Sequence, residues 1–190
     1  MAPKRPAALH FTGEPEADAL LAAEPLALLI GFALDQQVTV QTAFAGPLKL
    51  RQRLGTLDAK TIAATDPSRL EEIFRERPAI HRFPGSMAKR VQELAAFVAD
   101  EYAGDAAQVW TNAKDTADLT KRIGALPGYG PMKITALGSV LALRFGVAVA
   151  DALVPPHACL GAVDSPQALA DYQAKKRAHK ATLRAQAQRP

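Results

Sequence analysis

Apolar residues recur along the chain at intervals of three and four, which is the spacing of one face of an α-helix. Residues 86–102 are the clearest case, because their apolar positions form one continuous stripe: Met87, Val91, Leu94, Ala95 and Val98. No sustained alternation of apolar and polar residues has the length of a strand, and residues 147–149, the nearest candidate, are too few. The pattern therefore predicts an all-α protein.

Prolines, glycines and capping residues divide this pattern into separate helices. Pro25 is expected to bend or restart the first helix, and Asp66 is expected to cap a helix whose first turn contains Pro67. The predicted helices cover residues 16–33, 36–44, 47–54, a short segment from residue 57, a segment from residue 66, and residues 86–102, 115–126, 131–145 and 166–188.

Composition fits a folded domain with two looser ends. Hydrophobic residues make up 48% of the 190-residue chain, which is enough to build a core and excludes wholesale disorder. We expect a flexible arm over residues 1–15, a folded domain over 16–151, and over 152–190 an irregular segment followed by a basic helix or tail. That tail either contacts a polyanion or presents a solvated face. Its basic residues are Lys175, Lys176, Arg177, Lys180, Arg184 and Arg189.

Charge and cysteine content narrow the classes of function. The chain has 23 basic and 19 acidic residues, and its net charge of +4 is compatible with a polyanionic partner without requiring one. The single cysteine, Cys159, excludes a disulfide within the chain, a four-cysteine iron–sulfur cluster and a zinc ribbon. We therefore expect no cofactor, no metal and a reducing, cytoplasmic setting. Residues 17–34 are apolar but interrupted by Asp18, Glu24 and Pro25, so we expect a buried helix and no membrane span.

One short glycine-containing bend carries the main chemical signal. The run Leu126-Pro127-Gly128-Tyr129-Gly130, called the hairpin below, joins two predicted helices. Its glycines can take backbone conformations closed to other residues and can bring their N–H groups close to an anion. The hairpin also leads into a helix N-terminus, which favours negative charge such as a phosphodiester. The alternative is an ordinary corner between two helices.

The hairpin and two earlier segments resemble the helix-hairpin-helix (HhH-GPD) DNA glycosylase superfamily. Residues 28–39 are similar to an early superfamily helix that ends in a glutamine-containing turn against DNA. Residues 83–90 are similar to a later segment in which a hydrophobic turn leads into a helix. The similarity spans residues 26–151 and is greatest to a compact actinobacterial-type base-excision repair subfamily without an iron–sulfur cluster.

This resemblance implies a fold and an activity. The fold would be two helical subdomains around a cleft, with residues 26–54 and the C-terminal part on one side and residues 57–126 on the other. The activity would be that of a monofunctional DNA glycosylase, which hydrolyses the N-glycosidic bond of a flipped damaged or modified base. It would act on double-stranded DNA in the cytoplasm, associated with the nucleoid and not with a membrane. It would be a monomer. The alternative is a non-catalytic helix-hairpin-helix DNA-binding module.

The resemblance also implies catalytic positions. Asp151 matches the aspartate whose carboxylate stabilises the cation-like sugar and orients water, although it could be a solvated loop acid. Bifunctional relatives carry a nucleophilic lysine two residues beyond the hairpin, where this chain has Met132. Lys133 comes one residue later, about 100° round the helix, and is expected to contact phosphate or solvent rather than the sugar.

Two glutamines and an acid complete the implied site. Gln37, with Gln36, would fill the space left by the flipped base, or the two amides would cap a helix. Asp35 would bind an amino group in the base pocket, or would itself cap a helix. The expected DNA contacts are Leu126, Pro127, Gly128, Tyr129, Gly130, Met132, Lys133, Gln36, Gln37, Lys89 and Arg90.

Overall fold

The computed structural model describes residues 5–187, with the side chains of all of these except residues 180 and 183–187. Within this range the chain consists of helices joined by turns and loops, and no strand occurs in it, which confirms the all-α prediction. The helices are α1 (Pro15–Ala23), α2 (Pro25–Leu34), α3 (Val40–Leu54), α4 (Ala59–Ala64), α5 (Pro67–Arg75), α6 (Pro84–Glu101), α7 (Gln108–Thr111), α8 (Thr116–Ala125), α9 (Pro131–Phe145) and α10 (Pro166–Ala187), with 3₁₀ turns at Ala148–Leu153 and Leu160–Ala162.

Helix α2 lies at the centre of the molecule. Every residue of α2 after Pro25 is buried, because apolar side chains leave the helix on all sides. It packs against α1, α3 and α6. The rings of Phe32 in α2 and Phe44 in α3 meet edge to face with centroids 5.0 Å apart. Gly31 permits this close packing, since a Cβ there would lie 2.4 Å from the Phe44 ring.

The first predicted helix is divided in two at Pro25, as expected. Proline has no N–H to continue the α1 hydrogen-bond ladder, and it occupies the first turn of α2. The two helices are bent by 114° relative to each other. In residues 5–187 no single helix is long and apolar enough to cross a membrane; only this bent pair matches in length and composition.

Helix α3 corrects the predicted break between residues 36–44 and 47–54. One continuous helix runs through Pro47 and begins only at Val40, after Thr39 caps it by accepting a hydrogen bond from Thr42 N (3.2 Å). Proline costs one backbone hydrogen bond here, but tertiary packing outweighs that loss. Gly46 and Pro47 are both buried, and a Cβ on Gly46 would lie 2.4 Å from a Leu34 methyl group.

The N-terminal segment corrects the prediction of a flexible arm over residues 1–15. Leu9 and Phe11 are completely buried, and the Phe11 ring meets Phe44 edge to face at 5.1 Å. The buried Asp18 carboxylate accepts hydrogen bonds from the N–H groups of Phe11 (3.2 Å) and Thr12 (2.9 Å). These contacts fasten the segment to α1 and α3, so it is part of the core from Leu9 onward. Residues 1–4 lie outside the described residues.

Helix α6 connects the central helix to α4 and α5. Its predicted apolar stripe is confirmed, since all five positions are buried: Met87, Val91, Leu94, Ala95 and Val98. The helix begins at Pro84, two residues before the predicted start, because proline is well suited to the first turn.

The C-terminal part folds back on α9. Both 3₁₀ turns pack against α9, and α10 packs against the second turn and buries Leu169. Helix α10 begins at Pro166 as predicted and continues to Ala187. The predicted end at residue 188 and the basic residue Arg189 lie outside the described residues.

Candidate nucleic-acid interface

The hairpin is a tight turn between α8 and α9. Leu126 O accepts a hydrogen bond from Tyr129 N (3.1 Å), and Gly128 between them has a φ of +79°. Proline at the second position and a positive φ at the third are the features of a type II turn, which explains the Pro-Gly pair. Gly130 then caps α9, with its carbonyl accepting from the N–H groups of Lys133 and Ile134, both at 3.0 Å.

The hairpin exposes its glycines and buries its larger side chains. Gly128 and Gly130 face solvent, Pro127 is half-buried, and Leu126 and Tyr129 are buried. The Tyr129 hydroxyl donates a 2.6 Å hydrogen bond to Leu29 O in α2. Burial raises the pKa of this hydroxyl well above its ordinary value, so it stays protonated and remains a donor. Leu126 and Tyr129 can therefore reach a ligand only through their backbones.

Arg90 of α6 packs directly behind the exposed bend. A Cβ placed on Gly128 would lie 2.8 Å from Arg90 Nη1, so the guanidinium occupies the space next to the glycine. Lys89, its neighbour, is exposed, with its Nζ 3.9 Å from the Glu93 carboxylate. Arg90 thus lies at the hairpin, whereas Lys89 makes only a solvent-exposed ion pair.

Lys133 connects the hairpin to the end of α2 instead of pointing into solvent. Its Nζ donates to Ala33 O (3.3 Å) and lies 5.5 Å from the centroid of the Tyr129 ring. Burial, and next the charge of Arg90, lower the pKa of Lys133 to about 8, while Asp35 acts in the opposite direction. Met132, in contrast, is 84% exposed on the first turn of α9.

Asp35, at the end of α2, is influenced by the charges of two lysines. It follows Leu34 as the C-cap of the helix and is partly buried. Burial raises the pKa of its carboxyl, and the charges of Lys176 in α10 and Lys133 in α9 partly offset this effect. The carboxyl is therefore influenced by cations from two parts of the chain that are distant in sequence.

Gln36 and Gln37 form the turn that leads into α3. Gln36 is half-buried, whereas Gln37 is exposed and has a φ of +55°, a left-handed conformation that is uncommon for residues with a side chain. No side-chain hydrogen bond of either glutamine to a helix end occurs in the described part of the chain. The structure thus presents Gln37 at the tip of the turn.

His81 fastens this turn to the segment before α6. Its Nδ1 accepts from Phe83 N (3.1 Å), so Nε2 carries the proton and donates to Leu34 O and Gln36 O, both at 3.1 Å. Phe83 is 40% exposed beside this junction, with the Arg82 guanidinium 4.9 Å from its ring centroid. The burial of His81 and these three hydrogen bonds indicate a structural role. The exposed Phe83 was not expected as a site residue.

Asp151 lies on the 3₁₀ turn Ala148–Leu153, which folds back along α9. Thr116 Oγ1 donates to Val149 O (2.7 Å), and Leu153 packs so closely on Gly138 that a Cβ there would lie 2.6 Å from it. Gly138 is eight residues beyond Gly130, or about 12 Å along the helix. The Asp151 carboxylate is exposed and makes no hydrogen bond or ion pair with the residues described. It is therefore free to meet a ligand.

Two surface depressions lie away from the hairpin. One is next to Gly55 and Asp58, at the C-terminal end of α3, and the other is next to Trp110 and Phe145. Because Phe145 ends α9, 15 residues beyond Gly130, the second depression is about 22 Å along that helix from the hairpin. Neither depression belongs to the proposed interface. In the described residues, no group of histidine, cysteine or acidic side chains is placed to hold a metal ion.

Comparison with known proteins assigns a family to this arrangement. Neither the curated proteins nor the solved structures gave a match. The family model described as "HhH-GPD superfamily base excision DNA repair protein" matches residues 30–180, well over half of the chain, and this range includes the hairpin, the turn after α2 and Asp151. The chain therefore belongs to the HhH-GPD superfamily of base excision DNA repair proteins.

Proposed function

We propose that the chain is a monofunctional DNA glycosylase that binds double-stranded DNA and hydrolyses the N-glycosidic bond of a flipped damaged or modified base. The proposal rests on one observation above all: the hairpin of a base excision repair family is formed, and its two glycines face solvent, with Arg90 directly behind Gly128. Backbone N–H groups at the start of α9 are thus available to a phosphate, next to a cation.

The turn after α2 supports a role in base flipping. An enzyme that removes a nucleotide from the stack has to fill the space left behind. Gln37 is exposed at the tip of its turn, and His81 ties this turn to the segment that exposes Phe83. One long polar side chain and one aromatic ring therefore project from adjacent loops, which suits insertion between base pairs.

Asp151 is the proposed catalytic residue. Breaking the C–N bond leaves positive charge on the sugar, and a carboxylate near it lowers the energy of that state and orients the attacking water. The exposed, unpaired Asp151 carboxylate fits this task, and the contacts of Val149 and Leu153 on either side fix its segment.

Lys133 supports the monofunctional assignment. A lyase needs an amine that reaches the sugar, but Lys133 Nζ is bound to Ala33 O and lies over the Tyr129 ring. Reduction with borohydride during the reaction is therefore expected to trap no protein–DNA adduct. An adduct that forms with the wild type and disappears in Lys133→Gln would show that the lysine is a nucleophile and contradict the monofunctional mechanism.

The decisive experiment measures base release from duplexes that carry one alkylated, deaminated, oxidised or 5-substituted base each. The wild type is expected to release at least one of these bases. Asp151→Asn is expected to lose about 100-fold or more of that rate and to retain duplex binding. Asp164→Asn serves as the matched control, since Asp164 is an exposed aspartate of the same C-terminal part and should leave the rate unchanged. Release that survives Asp151→Asn would remove this residue from the mechanism.

A second candidate is a DNA-binding module without catalysis. It is favoured by the chemistry of the hairpin, because exposed glycines beside Arg90 can bind phosphate whether or not Asp151 acts on the sugar. This candidate predicts salt-dependent duplex binding with no release of any base in the panel. The two functions thus differ in the outcome of the same experiment.

A further inference from the structure

The C-terminal helix α10 is fastened beside the turn that carries Gln37. Gln173 of α10 and Gln41 of α3 exchange two hydrogen bonds through their side-chain amides, at 2.7 and 3.3 Å. Gln41 lies in the first turn of α3, directly after that turn. Leu169 is buried and Tyr172 packs on the core, so the first part of α10 is held in a defined position against the rest of the protein.

Two basic residues that follow Gln173 on α10 lie on the side of the helix that faces the turn carrying Gln37. Lys176 and Arg177 come three and four residues after Gln173, and they therefore lie on the side of the helix that faces Gln41. Both side chains are exposed. Lys176 Nζ lies 5.7 Å from the Tyr172 ring centroid and is close enough to Asp35 for its charge to act on that carboxyl.

The hairpin and α10 lie next to the same turn, because Lys133 Nζ donates to Ala33 O just before that turn and Gln173 pairs with Gln41 just after it. Arg90 lies against Gly128, its charge acts on Lys133, and Lys133 and Lys176 both act on Asp35. Lys133 of α9 and Lys176 of α10 thus act on the same carboxylate, and Arg90 of α6 acts on Lys133. The positive charge exceeds what Asp35 can balance, so a second anionic partner is favoured along this line.

We propose that Lys176 and Arg177 form a second phosphate-binding surface, which the Gln41–Gln173 pair holds next to the hairpin so that one duplex contacts both. This inference rests on the proposed function, because it requires that DNA occupy the hairpin. The partner is the phosphate backbone of duplex DNA. The surface reads no sequence and extends the length of duplex that the protein covers.

The test is the salt dependence of binding to an undamaged duplex, since each phosphate contact adds about 0.9 to the magnitude of the slope of log K against log salt. Lys176→Gln and Arg177→Gln are each expected to reduce the slope by about that amount. Lys175→Gln is the matched control: it removes the same charge from a residue two positions after Gln173, about 200° round the helix. A wild-type slope in the first two variants, or an equal reduction in Lys175→Gln, would overturn the proposal.

A neutral variant tests how α10 is positioned. Gln173→Ala removes no charge but breaks the amide pair with Gln41, so it is expected to reduce the slope as the charge variants do. A wild-type slope in Gln173→Ala would overturn the part of the proposal that assigns the Gln41–Gln173 pair. Thermal unfolding of each variant checks that the fold is retained.

One further variant separates failure of this inference from failure of the proposed function. Arg90→Gln acts at the hairpin itself and is expected to weaken binding whether or not α10 takes part. If the wild type shows no salt-dependent binding, the proposed function fails. If Arg90→Gln weakens binding while Lys176→Gln and Arg177→Gln do not, only the α10 surface is wrong.

Discussion

At the scale of single residues, the two glycines of the hairpin perform different tasks. Gly128 has a φ of +79°, and Arg90 fills the space where its side chain would be. Gly130 has ordinary extended backbone angles, and a Cβ built on it would meet nothing within 4 Å. The first glycine is needed for the shape of the turn, whereas the second leaves the start of α9 uncovered.

This difference predicts unequal effects of alanine. Gly128→Ala is expected to lower the free energy of unfolding by about 1–2 kcal/mol, because alanine is strained at positive φ and would displace Arg90. Gly130→Ala, its matched control, is expected to change that free energy by less than about 0.5 kcal/mol. Urea unfolding of both variants measures the difference. Equal losses in the two would contradict the assignment.

The sequence predicted the tight turn of the hairpin but not the residues against which it packs. A Pro-Gly pair followed by a second glycine predicts a tight bend from local backbone preferences alone. The role of Tyr129 depends on Leu29, and the surroundings of Asp35 depend on Lys133 and Lys176. These partners lie far apart in the chain, so no local pattern could have paired them.

At the scale of the elements, His81 joins the turn after α2 to the start of α6. One ring nitrogen donates to two carbonyls and the other accepts from Phe83 N, which only the neutral imidazole can do. Burial is the main reason that the pKa of His81 lies below its ordinary value. The carbonyls of Gln36 and Leu34 act in the opposite direction, and the charge of Arg82 adds to the lowering.

The lowered pKa predicts a specific dependence of stability on pH. Below about pH 6.5 the unfolded chain binds a proton at His81 more readily than the folded chain does. The stability that neutral His81 provides is therefore complete above that pH and decreases as the pH falls through it. The free energy of unfolding should thus drop less from about pH 7.5 to about pH 5.5 in His81→Gln than in the wild type. An equal drop in His81→Gln and in the wild type would contradict this assignment.

Helix boundaries show where sequence patterns succeed and where packing prevails. The stripe of α6 was predictable because its period is local and its buried face is continuous. The predicted break of α3 at Pro47 failed because Gly46 and Pro47 are buried, with Gly46 packed closely on Leu34. A proline therefore marks the end of a helix only where no neighbouring element compensates for the lost hydrogen bond.

At the scale of the whole molecule, the fold needs more of the chain than the family match covers. That match begins at residue 30, yet Leu9 and Phe11 are completely buried, and Phe11 packs against Phe44 of α3. Composition alone suggested a loose arm there, because two apolar residues among prolines and polar residues form no periodic pattern.

This placement predicts a large effect from one ring near the N-terminus. Phe11→Ala is expected to lower the free energy of unfolding by about 3–5 kcal/mol, since it leaves a cavity beside Phe44. Leu143→Ala is the control, because Leu143 is 43% exposed and its truncation should cost less than about 1 kcal/mol. Thermal or urea unfolding compares the two. A small effect of Phe11→Ala would show that the segment is dispensable to the core.

The bonds from the hairpin to α2 have a mechanical consequence. Tyr129 is bound to Leu29 O and Lys133 to Ala33 O, so the bend is attached at two successive turns of the helix that ends in the Gln37 loop. A continuous helix, rather than a hinge, therefore sets the separation between the hairpin and the Gln37 turn, which are the points proposed to contact a strand and to enter the base stack. If DNA binds as proposed, the nucleotide that Gln37 contacts would lie at a constant distance from the phosphate bound at the hairpin. The duplex, and not the protein, would then have to deform to fit.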